Sequence, residues 1–185
     1  MAEKTVRTGW DLKRGHDAAT KWTPTPDWRS AAIVRSSWSA RPLHGLGQTL
    51  LSGDLDAARA ALAPNASEAG LWQVAEGEAL VRIARDRALL VTARPLSAPA
   101  GWSPGGWATS AADDAWAVIE LAGESARAVC AQATSADLEA GSPSAALLFA
   151  GVTCLLYRTA PETARIHVER GFAPYLWRWL ETVEG

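Results

Sequence analysis

The stretch that decides the fold runs from residue 116 to residue 133 and reads WAVIELAGESARAVCAQA. Residues 116–121 alternate in the manner of a half-buried β-strand. Gly123 supplies a turn, and residues 124–133 have the composition and spacing of an amphipathic helix. A strand followed directly by a helix indicates a domain that contains both a sheet and helices packed on it.

The same organisation continues to the C-terminus. We predict strands over residues 145–149, 152–158 and 165–168, and then a helix over residues 172–183 with Pro174 in its first turn. Trp177 lies off the apolar stripe of that helix and is expected to be partly exposed or at an interface. The stripe at a spacing of 3.6 residues consists of Phe172, Tyr175, Leu176, Trp179, Leu180 and Val183.

Shorter elements precede the decisive stretch. The order strand, helix, two strands, strand, helix in the second half indicates the fold class α+β, with small antiparallel sheets and helices packed on one face. Residues 31–185 form this domain, in halves 31–94 and 107–185 joined by a Pro- and Gly-rich linker. The first half contains predicted strands at 31–39, 71–74, 79–84 and 88–93 and a helix at 54–63. Turns are predicted at residues 44–47, leading into residues 48–51, and at Asp86-Arg87.

Residues 1–30 differ in composition from the rest of the chain. The Thr-Pro-Thr-Pro run at residues 23–26 blocks a helix and favours an extended path. Residues 1–44 hold eight Lys/Arg and four Asp/Glu, whereas the remainder holds ten and sixteen. The segment is either a disordered tail or an extended arm that docks its tryptophans on a partner. In the second interpretation the candidate partner contacts are Trp10, Trp22 and Trp28, together with Trp177 of the last helix.

Composition excludes several classes of function. The net charge of −2 argues against nucleic acid as the main partner, because phosphate binding needs a surplus of basic residues. No apolar run is long enough to span a membrane, and the N-terminus has no signal-peptide core, so we expect a cytoplasmic protein that does not bind membranes. Cys130 and Cys154 are expected to be small core residues rather than a disulfide framework.

The search for catalytic or metal-binding groups yields little. His16, His44 and His167 are isolated from other ligands, and His167 is expected to be a structural histidine on a strand. The pair Asp113-Asp114 precedes a strand and is interpreted as a solvated turn. We therefore predict no catalytic, cofactor-binding or metal-binding residues in this chain. Ten tryptophans are unusual, and filling of core and interface explains them better than a stacking platform for sugars or bases.

Four stretches of the second half resemble the gamma subunits of sarcosine oxidases. They read WATSAADDAW (residues 107–116), VIELAGESAR (118–127), ADL (136–138) and IHVERGFAPYLWRWL (166–180). The L-x-G-x-x-A-R pattern followed by Asp-Leu, and the C-terminal cluster of tyrosine, leucine and tryptophan, carry the resemblance. It covers about the last 75 residues well and the first half loosely.

The resemblance implies a fold with halves like those of the folate-binding aminomethyltransferases of glycine cleavage. It implies a structural, non-catalytic subunit of a heterotetrameric flavoenzyme that oxidatively demethylates an N-methylated amine or amino acid. The partners would be a larger alpha-type subunit with an aminomethyltransferase domain, and beta and delta subunits. FAD, FMN, NAD and tetrahydrofolate would all be bound by those subunits. Folate-active relatives carry an acidic residue where an ungapped count places Ala111, which favours the non-catalytic interpretation.

Two alternatives from other classes remain at this point. The chain could be a stand-alone folate-dependent aminomethyl transferase, which a purified chain with stoichiometric folate would indicate. It could also be a small module that binds sugars or peptides on its tryptophans, although it carries no motif for this.

Overall fold

The structure is a computed structural model that describes residues 26–184. Its helices are α1 (Leu55–Leu62), α2 (Ala126–Ala133) and α3 (Ala173–Thr182), and a 3₁₀ turn at Arg170–Phe172 leads into α3. The strands are β1 (Ile33–Val34), β2 (Ser39–Leu43), β3 (Gly47–Gly53), β4 (Ser67–Ala69), β5 (Ala79–Ala84), β6 (Arg87–Thr92), β7 (Gly101–Ser103), β8 (Trp107–Ala111), β9 (Trp116–Ala122), β10 (Ala146–Phe149), β11 (Val152–Ala160) and β12 (Thr163–Glu169).

The strands form two six-stranded sheets. Sheet 1 has the order β1-β2-β9-β12-β11-β10 and is antiparallel throughout. Sheet 2 has the order β4-β5-β6-β3-β8-β7, in which only the short β4 is parallel to its neighbour. The predicted α+β class with small, mainly antiparallel sheets is confirmed.

The two sheets and the helices stack in layers. Helices α2 and α3 pack on the outer face of sheet 1, over Ile119, Leu156 and Ile166. The inner face of sheet 1 packs through Leu155 and Tyr157 against sheet 2. Helix α1 covers the opposite face of sheet 2. Strand β11 therefore sends alternate side chains into two different cores, Cys154 and Leu156 into one and Leu155 and Tyr157 into the other.

Local signals set several elements. The Oδ1 of Asp54 accepts a hydrogen bond from the backbone N–H of Ala57 at 3.0 Å, which caps α1 where the sequence predicts a helix start. Gly123 has a φ of +121°, and a β-carbon there would collide with the carbonyl oxygen of Ser37, so glycine is required at this turn. Strand β5 has the bounds that the sequence predicts, and β6 begins one residue earlier.

Two predicted strands of the first half are wrong. Residues 31–39 are not one strand, because the backbone N–H of Arg35 bonds the carbonyl of Trp38 at 2.9 Å and turns the chain between β1 and β2. Residues 71–74 make only isolated bridges at Leu71 and Val74. Trp72 lies between these two residues with a φ of +60°, which interrupts a strand.

The linker does not divide the fold into two separate units. Residues 101–103 of the predicted linker form β7, which pairs with β8. Strand β2 of the first half joins β9 in sheet 1, and β8 of the second half joins β3 in sheet 2. The boundary between the sheets therefore differs from the predicted boundary between halves 31–94 and 107–185.

Helix α3 buries only part of the predicted stripe: Leu176, Leu180 and Val183 are buried as predicted, and Trp179 is half-buried. Phe172 and Tyr175 are 49% and 51% exposed. Trp177 is 2% exposed, so the expectation that it is partly exposed is wrong. The buried positions of the helix are Ala173, Leu176, Trp177 and Leu180.

Candidate functional site

A cleft of about 570 Å³ opens at one end of sheet 1. Its walls come from the ends of β2 and β9, the β2–β3 turn, the β8–β9 loop and the start of α3. The segments 42–48, 113–118 and 170–173, which are distant in sequence, thus meet there together with Trp28 and Pro95. Its apolar lining includes Trp28, Leu43, Leu46 and Trp116.

Polar groups surround this apolar lining. The backbone N–H of Gln48 donates to Oδ1 of Asp113 at 2.6 Å, so this carboxylate holds the β8–β9 loop against β3. Oδ2 of Asp113 has no hydrogen-bond partner among residues 26–184. Asp114 is exposed and pairs with Arg170 at 3.2 Å. The interpretation of this aspartate pair as a solvated turn therefore fits Asp114, whereas Asp113 is half-buried and structural.

The chain enters the described structure at this cleft. Trp28 is half-buried and meets Trp177 edge-on, with ring centroids 5.8 Å apart. Nε2 of His44 donates to the carbonyl oxygen of Trp28 at 2.8 Å. Asp27 closes the surrounding turn, since its Oδ2 accepts a hydrogen bond from the Ser30 hydroxyl at 2.7 Å. These contacts fix the position from which the preceding residues leave.

A buried polar cluster lies behind the cleft, between the sheets. Nδ1 of His167 donates to Oε1 of Gln48 at 2.8 Å, and Nε2 lies 3.4 Å from the hydroxyl of Tyr157. Burial lowers the pKa of His167 from 6.5 to about 3, with a smaller contribution from the Arg165 charge. His167 is therefore neutral near pH 7. The prediction of a satisfied structural histidine on a strand is confirmed.

The cysteines belong to the core. Cys130 and Cys154 are both fully buried in the core between sheet 1 and its helices, as the sequence predicts. Burial raises the pKa of each thiol to about 12, which keeps both protonated at neutral pH.

Large apolar side chains are exposed on edge strands of both sheets. Trp102 is 72% exposed on β7, at one edge of sheet 2. Leu148 is 64% exposed on β10, and Val34 is 75% exposed on β1, at the two edges of sheet 1. Sequence reasoning missed Trp102 and Leu148, because the first lies in the predicted linker and the second in an apolar strand that resembles a buried one.

The predicted partner contacts are distributed as follows. Trp10 and Trp22 lie outside the described residues. Trp28 packs on the core and lines the cleft, and Trp177 is buried beneath the Trp28 ring. Burial excludes the Trp177 side chain from direct contact with a partner while the chain keeps this fold.

Within residues 26–184, no three His, Cys, Asp or Glu side chains converge in a way that could hold a metal ion. None of the helices in the same range is long and apolar enough to cross a membrane.

The chain was compared with protein families and known proteins. The family model described as "Sarcosine oxidase, gamma subunit family" matches residues 68–184. The chain belongs to the sarcosine oxidase gamma subunit family. The matched range of this gamma-family chain extends from β4 to the residues after α3, and it includes the decisive strand and helix at residues 116–133.

Solved structures contain the same fold. One similar chain belongs to a heterotetrameric sarcosine oxidase from Corynebacterium sp. U-96, in complex with pyrrole 2-carboxylate. The alignment covers 80% of the gamma-family chain and 84% of that chain, with 22% sequence identity and a TM-score of 0.61. At this identity the likeness establishes the fold. A comparison with curated proteins gave no sequence match.

Proposed function

We propose that this chain is the gamma-type structural subunit of a heterotetrameric, sarcosine oxidase-like complex. In this proposal the complex oxidatively demethylates an N-methylated amine or amino acid. The chain packs against the aminomethyltransferase-like domain of a larger alpha-type subunit, and beta and delta subunits complete the assembly. The family match over residues 68–184 is the observation that supports the proposal most directly.

The exposed edge strands agree with such a role. Trp102 and Leu148 are large apolar side chains that stand in solvent on strands whose outer backbone groups are unpaired within their sheets. Free edges and exposed apolar groups favour association, and soluble chains that act alone usually protect them. A partner that covers β7 or β10 would bury both features together.

The cofactors are proposed to lie on the other subunits. FAD, FMN, NAD and tetrahydrofolate would be bound there, and this chain would contribute support rather than reacting groups. The family match does not favour the rival function, a stand-alone folate-dependent aminomethyl transferase. Calorimetry on the purified chain separates the two, because the rival requires stoichiometric binding of tetrahydrofolate.

The experiment that tests the proposal is co-expression with the candidate large subunits from the same genome, followed by affinity capture on a tag of the alpha-type subunit. We expect capture of the wild-type chain at fixed stoichiometry. Leu148→Asp or Trp102→Asp should reduce capture if its strand lies in the interface, because a charge would be moved out of water. Ala131→Asp, on the exposed face of α2, is the matched control. Failure of the wild-type chain to bind any large subunit would contradict the proposal.

A further inference from the structure

The cleft at the end of sheet 1 combines an apolar, aromatic wall with charged side chains at its rim. Its wall contains the indoles of Trp28 and Trp116 and the side chain of Leu46. At its rim, Asp113 has one carboxylate oxygen without a partner among residues 26–184. The volume of about 570 Å³ lies within the roughly 300–1,000 Å³ of sites that enclose small ligands.

The chain itself contains a basic, tryptophan-containing segment a few residues before Trp28 in the sequence. Residues 21–25 read KWTPT, in which a lysine and a tryptophan precede the Thr-Pro-Thr stretch. Trp22 lies six residues before Trp28, and an extended chain of six residues spans at most about 20 Å. Because Trp28 itself lines the cleft, Trp22 is within reach of the cleft interior without any change in the described fold.

Charge and backbone preference both favour this occupant. Residues 1–25 hold five Lys/Arg and three Asp/Glu, a surplus of two positive charges, whereas residues 26–185 hold 13 and 17, a deficit of four. Pro24 and Pro26 favour an extended path, which costs less conformational entropy on docking than a flexible segment would. The attachment to Trp28 also makes docking intramolecular, so that the effective concentration of the peptide is high.

We propose that residues 21–25 lie in the cleft of their own chain, with the Trp22 indole against the apolar wall and the Lys21 ammonium against Asp113. The proposal assigns Trp22 to the subunit's own surface rather than to a partner. It does not depend on the proposed function, because it concerns the isolated chain.

Limited proteolysis of the full-length chain tests the proposal. Trypsin cleaves after Arg14 and after Lys21, and mass spectrometry follows the two cleavages separately. Each rate is divided by the rate in a synthetic peptide of residues 10–25. We expect the cleavage after Lys21 to be at least about tenfold slower than in the peptide, because it requires transient opening, and the cleavage after Arg14 to stay near the peptide rate.

Matched variants identify the contacts. Leu46→Arg in the wall should raise the normalised cleavage rate after Lys21 by about tenfold, whereas Val34→Arg, on an exposed edge outside the cleft, should leave it unchanged. Trp22→Ala should raise the normalised cleavage rate after Lys21 as much as Leu46→Arg does. Because it changes no residue of the described fold, it serves as the test if Leu46→Arg fails to fold. Asp113→Asn keeps an oxygen that can accept the hydrogen bond from the Gln48 N–H, but it removes the charge opposite Lys21. We expect it to raise the normalised cleavage rate after Lys21 only about 1.5- to 5-fold, and only at low salt.

Three results would overturn the proposal. Cleavage after Lys21 at the peptide rate would show that the segment is free. Protection that increases with protein concentration would mean that the segment of a second copy fills the cleft. Protection that appears only after the other subunits are added would assign the segment to the partner.

Discussion

Nδ1 of His167 on β12 lies 2.8 Å from the side-chain oxygen of Gln48 on β3, and this buried hydrogen bond joins the two sheets. The Gln48 amide also donates to the carbonyl oxygens of Trp116 at 3.2 Å and Asp113 at 3.4 Å. One side chain therefore links β3, β9, β12 and the loop before β9. The cleft is built on the same residues, so its shape depends on this cluster.

Gln48→Leu should destabilise the protein strongly. The substitution keeps the volume of the side chain and leaves the His167 N–H and two carbonyl oxygens without partners. An unsatisfied buried polar group costs about 1–3 kcal/mol, so we expect a loss of several kcal/mol in the free energy of unfolding. Urea denaturation measures it. Gln132→Leu on the exposed face of α2 is the control. An equal, small loss of unfolding free energy in both variants would show that the hydrogen bonds of Gln48 do not stabilise the fold.

The buried imidazole also predicts a pH dependence of stability. Its folded-state pKa is lowered to about 3, and the unfolded value is 6.5. Above pH 6.5 both states are neutral at this site and no stability is lost. As the pH falls from 6.5 towards 3, only the unfolded state takes up the proton, so the free energy of unfolding falls by about 1.4 kcal/mol per pH unit.

The variant His167→Gln isolates this contribution, because all carboxylates remain. Unfolding free energies of the two proteins are compared between pH 7 and pH 4. The difference between wild type and His167→Gln should become smaller as the pH falls, since the wild type alone loses the imidazole contribution. A difference that stays constant with pH would mean that His167 titrates normally in the folded protein.

Trp177 and Trp179 should differ in their effect on stability. Trp177 is 2% exposed and contacts Trp28, whereas Trp179 is half-buried against Phe149 with ring centroids 5.7 Å apart. We expect Trp177→Ala to cost about 3–5 kcal/mol and Trp179→Ala clearly less, because a partly exposed site can refill with water. Differential scanning calorimetry checks the order, and the reverse order would contradict the packing of α3.

Much of the fold could be predicted from local signals. Asp54 caps α1, Gly123 turns β9 into α2, and the β5–β6 hairpin lies where the sequence indicates it. The buried face of helix α3 could not be predicted from local signals, because its sequence contains two overlapping apolar stripes. One includes Phe172 and Tyr175, and the other includes Trp177. Packing against sheet 1 and against Trp28, which is far away in sequence, buries the second stripe.

The cleft could not be predicted from local signals either, because it is formed by residues that are distant in sequence. Residues near positions 45 and 114 meet because β2 pairs with β9 across about 80 residues of sequence, and residues near positions 28 and 172 join them through further tertiary contacts. Gln48 and His44 show no local motif, and the importance of Gln48 depends on the stacking of the sheets. By contrast, the tryptophan-rich composition of residues 1–30 is visible in the sequence alone.

Removal of residues 1–25 should separate folding from assembly. Trp28 and its contact with Trp177 remain in this variant, so the two sheets should keep their structure by circular dichroism. If the segment anchors the subunit, through Trp10 above all, binding to the large subunit should weaken by at least about tenfold, since an indole contributes strongly to interfaces. Unchanged affinity would show that the segment is dispensable for assembly.

Membership of a heteromeric complex can be measured as the mass of the native assembly. The chain is tagged in its own host, purified under mild conditions and analysed by native mass spectrometry. We expect one species that contains this chain together with the alpha-, beta- and delta-type subunits and bound flavin. A chain that purifies alone at its own mass of 19.6 kDa, under conditions where its candidate partners are expressed and intact, would contradict it.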